Sequence, residues 1–302
     1  MRLTARRPFR HPPALRHLLP ASLMLLPAVV LLGAFTHLPA VQTVISALYT
    51  TPKANRPARF IGLDHYRFLL DDPVFLKAAW NNLIFAAATV PATILISLGM
   101  AMLVSSKIRG RGLARLAFFT PTVLPMIAIG NIWLFFYTPG YGLLDQITGL
   151  FGFGATNWLG SQETALGAII VVAIWKEAGF FMIFYLAALT QIPPQLIEAA
   201  TLEGAGPWAR FRRVIWPLVA PTTLFVLVNA IINACRMVDH VIVMTRGGPD
   251  NATTLLLLYV YETGFRFWDT GYAAAISVVL LVILALAGIG QFILLDRKVH
   301  YR

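Results

Sequence analysis

A chain of 302 residues can fold as two soluble domains or as one membrane bundle, and composition decides between them. Apolar residues make up 58% and charged residues only 12%, about half the charged share of an ordinary soluble protein, so a water-soluble fold would carry large exposed apolar patches. The net charge of +11 sits in short clusters between apolar runs rather than along a stripe, which argues against a nucleic-acid surface.

A helix that crosses a bilayer needs about 20 mostly apolar residues, and six stretches qualify: 18–38, 79–104, 114–137, 165–189, 214–234 and 272–295. The first follows a basic tail in the manner of a signal peptide. No small-x-small cleavage site follows Leu32, however, and Gly33 to His37 is a poor candidate, so an uncleaved first span is expected. Pro20 and Pro27 in the first span, and Pro121 and Pro125 in the third, predict kinks. Pro217 and Pro221 fall near the start of the fifth span. The 19 prolines and 22 glycines suit membrane helices, where neighbouring segments satisfy freed backbone groups. Cys235 is the only cysteine, so no intrachain disulfide can form, and a small buried side chain is its expected role.

Orientation follows from where Lys and Arg fall. On the side of the termini lie Arg2, Arg6, Arg7, Arg10 and Arg16, then Lys107, Arg109, Arg111 and Arg115. Arg210, Arg212 and Arg213, and finally Arg297, Lys298 and Arg302, bring that side to fifteen. The other side holds seven, Lys53, Arg56, Arg59, Arg67, Lys77, Arg246 and Arg266, and most of the acidic residues. Both termini are therefore expected in the cytoplasm. One false span would invert every later loop, so the bias also supports the span count.

The loop between the fourth and fifth spans, 191–213, is too polar to bury and too patterned for a linker. Pro193 and Pro194 suit a helix start, and the residues from Leu196 to Glu203 are largely helix formers. Gly204 can end that helix in a left-handed cap, and Pro207 can start a second helix leading into the fifth span. The small side chains of Ala199 and Ala200 leave a flat face that another protein can approach closely. The residues alone predict a helix–turn–helix on the cytoplasmic side, built for docking.

This segment resembles the EAA loop of ABC importer permeases. Its Glu-Ala-Ala and Gly are matched in type and spacing by Glu198, Ala199, Ala200 and Gly204, and the terminal Pro by Pro217. Val214 replaces the pattern's Ile, conservatively, while Trp216 replaces its Leu, which alters local packing. The run from Glu198 to Pro207 is similar to the carbohydrate-uptake branch, the maltose- and glycerol-phosphate-type permeases. So are Gly62-Leu63-Asp64-His65-Tyr66, Asn81-Asn82-Leu83, Trp175-Lys176 and Thr245-Arg246-Gly247-Gly248-Pro249. The likeness covers about residues 55–300.

The resemblance implies an all-α polytopic bundle of six transmembrane helices with the type I ABC importer permease fold, in the bacterial inner membrane. It divides the chain into 1–77 (cytoplasmic tail, first span and periplasmic segment), a core permease domain 78–295, and a cytoplasmic tail 296–302. It also implies that 191–213 is a coupling loop seated on a separate cytoplasmic ATPase dimer, with Glu198, Ala199, Ala200, Glu203 and Gly204 at the contact. The chain has no Gly-Lys pair and hence no Walker loop. No cofactor is expected on it, and ATP and Mg belong to the ATPase. The further partners implied are a second permease, a different chain in most of this branch, and an extracytoplasmic solute-binding protein docking on loops such as 62–77 and 247–269. Nucleic acid is not among them.

Charges inside spans are costly and usually face a cavity or a partner. Lys176 and Glu177 fall mid-way along the fourth span. Asn229, Asn233 and Arg236 are spaced i, i+4, i+7 on one face of the fifth, with Asp239 and His240 expected to continue it. Lys176, Asn229, Asn233, Arg236 and Asp239 are thus candidates to line a solute path. The amides suit a hydroxyl-rich solute, and Arg236 or Lys176 suits an anionic group. The plainer alternative is helix–helix bonding. Trp133, Trp158, Trp175 and Trp268 can stack on sugar rings or serve as interfacial anchors. Two rivals remain: an ion-coupled transporter, for which no internal repeat is found, and a membrane-embedded enzyme, for which HExxH and GxSxG are both absent.

Overall fold

The computed structural model describes residues 14–54, 56–106, 109–152 and 154–296. The basic residues expected at 2–10, 107 and 297–302 lie outside the described residues. Fourteen helices follow in chain order. The first span is built from α1 (Ala14–Leu32) and α2 (Leu38–Ser46), joined by a π-helical turn, Gly33–His37. A short α3 (Asp64–Asp71) precedes the long α4 (Pro73–Ser105). Then come α5 (Arg111–Val123), α6 (Met126–Phe136), α7 (Leu143–Gly149) and α8 (Ala165–Thr190). The elbow is α9 (Pro194–Leu202) and α10 (Pro207–Arg210), and a second π-turn, Phe211–Ile215, feeds α11 (Trp216–Arg236). Finally α12 (Asp239–Met244), α13 (Leu256–Tyr261) and α14 (Thr270–Asp296) close the chain.

Each of these two π-turns ends two residues before a proline, Pro39 and Pro217. Proline lacks an N–H and its ring crowds the carbonyl four residues back. A widened turn at that place lets the helix continue as a single apolar rod.

Five helical stretches are long and apolar enough to cross a bilayer: Ser22–Ser46, Pro73–Ser105, Ala165–Thr190, Pro207–Met244 and Thr270–Gly290. The sixth expected crossing, 114–137, is not one straight helix. Its halves, α5 and α6, meet at an angle of 105°. The cause is local: Leu124, preceding Pro125, is extended with ψ 139°, as a residue before proline prefers.

Three of the spans form the core. α4 lies along α8 over the most extensive interface in the chain, and α11 packs against both. Phe85, Phe181, Met182, Tyr185, Val219 and Val226 are fully buried between them. Close approach depends on small residues in α8. A Cβ on Gly179 would stand 2.2 Å from the carbonyl oxygen of Phe118, so only glycine lets α5 rest on α8 there. The first span stands apart: nothing in its apolar window is buried, and α2 is held mainly against α14. From Leu23 onward its Leu, Val and Phe side chains face outward, as in a segment bathed in lipid.

Candidate transport site

The helix–turn–helix elbow forms as the sequence predicts. Pro193 precedes α9 and Pro194 opens it, and Gly204 adopts φ +79°. Ala205 N–H donates to the Ala200 carbonyl at 2.9 Å and Gly204 N–H to that of Thr201 at 3.0 Å. That pair is a Schellman cap, which consumes carbonyls the helix would otherwise leave free. Arg210 bridges to the Thr201 hydroxyl at 3.0 Å, fixing α10 against α9. Neither helix buries a residue: Glu198, Ala199 and Glu203 are exposed, and Leu202 and Trp208 are 89% and 70% exposed. Ala200 is partly covered.

The polar residues of the spans converge at the break between α11 and α12. Met126, Lys176, Glu177, Asn233, Arg236, Met237 and Asp239 line an open cleft of about 430 Å³. Asn233 donates its amide N–H to Glu177 Oε2 at 2.7 Å, tying α11 to α8. Lys176 Nζ donates to the carbonyl of Leu124 at 2.7 Å. That carbonyl belongs to the break in the third crossing, where the bend strips it of a helical partner, and the ammonium takes that partner's place.

Two expectations about this face differ from the structure. Asn229 does not line the cleft; its amide bonds the Phe225 carbonyl one turn back at 2.7 Å. His240 does not extend the face, because α11 ends at Arg236 and Met237 is extended (φ −81°, ψ 106°). The turn buries His240 completely, beside the Phe85 ring. Glu177, which the sequence places mid-span with Lys176 without making it a candidate for the path, is also part of the cleft. Nothing local marks Met126, whose place depends on the 105° bend.

At the end of the bundle away from the elbow, the loops are closed on themselves. Asp72 caps α4, its Oδ1 accepting from Val74 N at 2.9 Å and Phe75 N at 3.3 Å. Its Oδ2 accepts from the Tyr259 and Tyr272 hydroxyls at 2.5 and 2.6 Å, joining α13 and α14 to α4. Burial works to raise the Asp72 pKa, but the two hydroxyls and the Phe75 and Val74 N–H groups prevail and hold it below the usual carboxylate range. Asp145 gathers its loop likewise, accepting from Gly140 N and Trp158 Nε1, each at 2.7 Å, and from Thr156 N at 3.2 Å. The Gly140 bond leads in lowering its pKa. Trp158 is thereby occupied within the chain, and Trp133 and Trp175 pack edge to face against each other at 5.6 Å. Asn81 donates to the Asn251 and Thr254 carbonyls at 2.9 and 3.1 Å, so it holds the loop that follows Pro249.

Comparison with known proteins adds to this geometry. The family described as "Binding-protein-dependent transport system inner membrane component" matches residues 93–300. The sulfoquinovosyl glycerol transport system permease protein SmoG of Agrobacterium fabrum is 33% identical over 264 residues, covering 87% of this chain and 86% of its own. The sn-glycerol-3-phosphate transport system permease protein UgpA of Salmonella choleraesuis is 32% identical over 283 residues, 93% of this chain and 95% of its own. Among solved structures, a bacterial ABC transporter involved in import of the acidic polysaccharide alginate superposes with a TM-score of 0.76. It is 24% identical and covers 94% of this chain and 97% of that one. The inward-facing MetNI methionine ABC transporter superposes with a TM-score of 0.58 at 16% identity, over 78% of this chain and 99% of its own. At such identities the likeness concerns the fold alone.

Proposed function

The chain belongs to the binding-protein-dependent transport system inner membrane components and has the all-helical fold of ABC importer permeases; from that premise we propose that it pairs with a second, different permease to carry a sugar-like solute inward. The relatives named for sulfoquinovosyl glycerol and glycerol 3-phosphate support a small polyhydroxylated solute, and the polar cleft supports the same class. Both termini and the elbow face the cytoplasm in this reading, following the positive-inside bias. The first span with its flanks (1–77) is peripheral, 78–295 is the transporting core, and 296–302 is a short tail. A solute-binding protein delivers solute to the loop end.

The observation that carries the proposal is the elbow. A capped, rigid helix pair with no buried residue and two large exposed apolar side chains has no stabilising reason to exist within the chain. It suits a groove on a cytoplasmic ATPase dimer, with Glu198, Ala199, Ala200, Glu203 and Gly204 at the contact. ATP and Mg are held by that ATPase, whose closure moves the elbow and, through α10, the fifth span. Asn233, Arg236, Lys176 and Asp239 line the path, whereas Asn229 is bound to its own helix.

The test is reconstitution. This chain, co-expressed with a candidate second permease, ATPase and solute-binding protein from the same organism, should yield one complex that accumulates solute in vesicles only with ATP. Solute accumulation by this chain without an ATPase would overturn the reading.

A further inference from the structure

The loops over the core answer their polar groups from within, but the hairpin that follows the first span does not. Lys53, Arg56 and Arg59 fall in one seven-residue stretch at the end away from the elbow, against the bias that orients the rest of the chain. The backbone fixes them: Thr50 N–H donates to the Arg59 carbonyl at 2.9 Å, and Lys53 and Arg56 exchange bonds of 3.0 and 2.9 Å. All three residues are exposed, and none has a side-chain hydrogen bond or ion pair among the described residues. No acidic residue lies between Ala47 and Leu63. The acids beside the hairpin are already engaged. Asp269 accepts the Thr51 hydroxyl at 2.6 Å and the Tyr272 N–H at 3.2 Å, and Asp64 pairs with Arg67. Phe60 and Leu63 are 61% and 62% exposed. A basic and apolar segment at the end of a lipid-facing span has the composition of an interfacial anchor.

Beside this hairpin runs a groove. An upper cavity of about 420 Å³ lies against Tyr49, Thr50 and Ala58, the neighbour of Arg59. A lower one of about 450 Å³ separates α2 from α14. Ser46 and Thr270 line both, so the two adjoin. From Ser46 the lower cavity follows α2 to Pro39, roughly 10 Å into the span. Gln42 on that wall is exposed and has no side-chain hydrogen bond among the described residues, and an amide in a span calls for a polar partner. Trp268 stands at the same cavity, 75% exposed and without a ring contact among the described residues. Its φ of +57° follows the π-turn Glu262–Arg266, in the left-handed cap position that glycine takes without strain. The Phe267 and Asp269 N–H groups close that cap on the Glu262 and Thr263 carbonyls, each at 2.9 Å. A bulky ring kept there against backbone preference has a use outside the cap.

Lipid is the occupant that fits the whole groove. A helix about 10 Å across fills roughly 400 Å³ with each turn, so the lower cavity holds one turn of a neighbouring span, whereas a hydrocarbon chain threads it lengthwise. A soluble partner can reach the hairpin but not a cavity alongside a span whose apolar window buries nothing. We propose that this groove binds one anionic phospholipid. Its phosphate lies against Lys53, Arg56 and Arg59, since guanidinium groups match phosphate oxygens. Its esters accept from Gln42, and an acyl chain fills the lower cavity against Trp268. The lipid thereby joins the first span, held mainly by α14, to the core. The importer reading enters only in setting which leaflet the groove faces.

The test reconstitutes the full complex, and the chain alone, in vesicles of equal phosphatidylglycerol and phosphatidylcholine with identical acyl chains. Lipid retained after detergent extraction is counted by native mass spectrometry. The wild-type complex should retain phosphatidylglycerol over phosphatidylcholine by about fivefold or more. Lys53→Gln, Arg56→Gln and Arg59→Gln combined should bring that ratio below about two, whereas Arg67→Gln, at a residue already paired with Asp64, should leave it unchanged. Ser46→Phe, where the two cavities meet, should lower retention of both lipids several-fold. Trp268→Gly should lower retention while the melting curve stays or rises, because the cap loses its strain. A lowered melt with full retention would confine Trp268 to the fold and overturn its part. Excess inorganic phosphate should leave the bound phosphatidylglycerol in place. Equal retention of the two lipids by the wild type, an unchanged ratio in the triple variant, or displacement by phosphate would overturn the proposal. So would retention by the chain alone that is lost in the complex, since the second permease would then cover the groove. ATP-dependent solute accumulation by the same vesicles reports separately on the importer reading.

Discussion

At the loop end of the bundle the polar groups are answered from within the chain, whereas at the elbow end they are left facing outward. Asp72 accepts four hydrogen bonds and ties three helices together. Asp145 and Asn81 do the same for the loops beside them. The elbow has the same local finish, a Schellman cap and the Arg210–Thr201 bond, but α9 and α10 bury nothing. The difference separates two kinds of order. The loop end is ordered by what it encloses, and the elbow is ordered by its backbone alone, as a part shaped for something outside the chain.

The strongest way to break this contrast is at Asp72. Replacing it with Ala removes the α4 cap and leaves two tyrosine hydroxyls without their charged acceptor. We predict a loss of about 3 kcal/mol or more of stability, read as an earlier thermal unfolding of the purified complex. An unshifted melt would mean that the loop end is held by something else. The same residue sets a pH dependence. Its folded pKa is depressed, so its contribution is complete above the ordinary carboxylate pKa of about 4 and is lost as pH falls through the lower folded value. The stability gap between wild type and Asp72→Asn should therefore be full at about pH 7 and narrow as pH falls below about 4.

That clamp was invisible in the sequence, and the reason is physical. Asp72 lies 187 and 200 residues from its two tyrosine partners, and no local pattern announces a bond of that span. The elbow is the opposite case. Its prolines, helix formers and Gly204 act within a dozen residues, so the motif predicted the helix, the turn and the restart at Pro207. Spans were legible wherever apolar length alone decides, as for 165–189 against Ala165–Thr190. The expected second span, 79–104, starts short of Pro73 because the first turns of the helix carry Lys77, a charge whose partner, the Asp250 carbonyl, lies in the distant loop after Pro249. In the third, Pro125 predicts the kink that is present, but not its size: the two halves are turned by 105° at Leu124 and Pro125, which hydropathy does not register. Arg236, Asn233, Lys176 and Asp239 stand out in the sequence because charge and amides are rare in such helices, and all four line the cleft. Asn229 passed the same filter and proved to bond its own helix.

A smaller effect sharpens the contrast from the other side. Gly204 is at φ +79°, and a Cβ there would meet nothing within 4 Å. The cost of Gly204→Val is thus backbone strain alone, roughly 1–2 kcal/mol, and it falls on the cap rather than on any packed surface. The spans should melt as before, while the share of ATPase that co-purifies drops several-fold. Undiminished ATPase recovery would show that the turn is not part of the contact.

The smallest expected change to the chain itself is at Leu202, and it separates the two kinds of order most cleanly. Leu202 is the last residue of α9, 89% exposed, and it belongs to none of the three buried apolar clusters. Substituting Ser removes no internal contact, so the stability of the isolated chain should stay within about 0.5 kcal/mol. If the elbow docks on a protein groove, that leucine is desolvated only in the complex. Its loss, at about 25 cal/mol per Å² of apolar surface, should then weaken ATPase association measurably without touching the fold. If the side chain instead dips into lipid at the bilayer surface, Leu202→Ser would leave ATPase association intact and alter only how the chain sits in the membrane. Titrating the ATPase onto vesicles that carry the permease pair, wild type against Leu202→Ser, distinguishes the two outcomes. A shift in that titration with an unmoved melting curve is what a surface made for a partner requires.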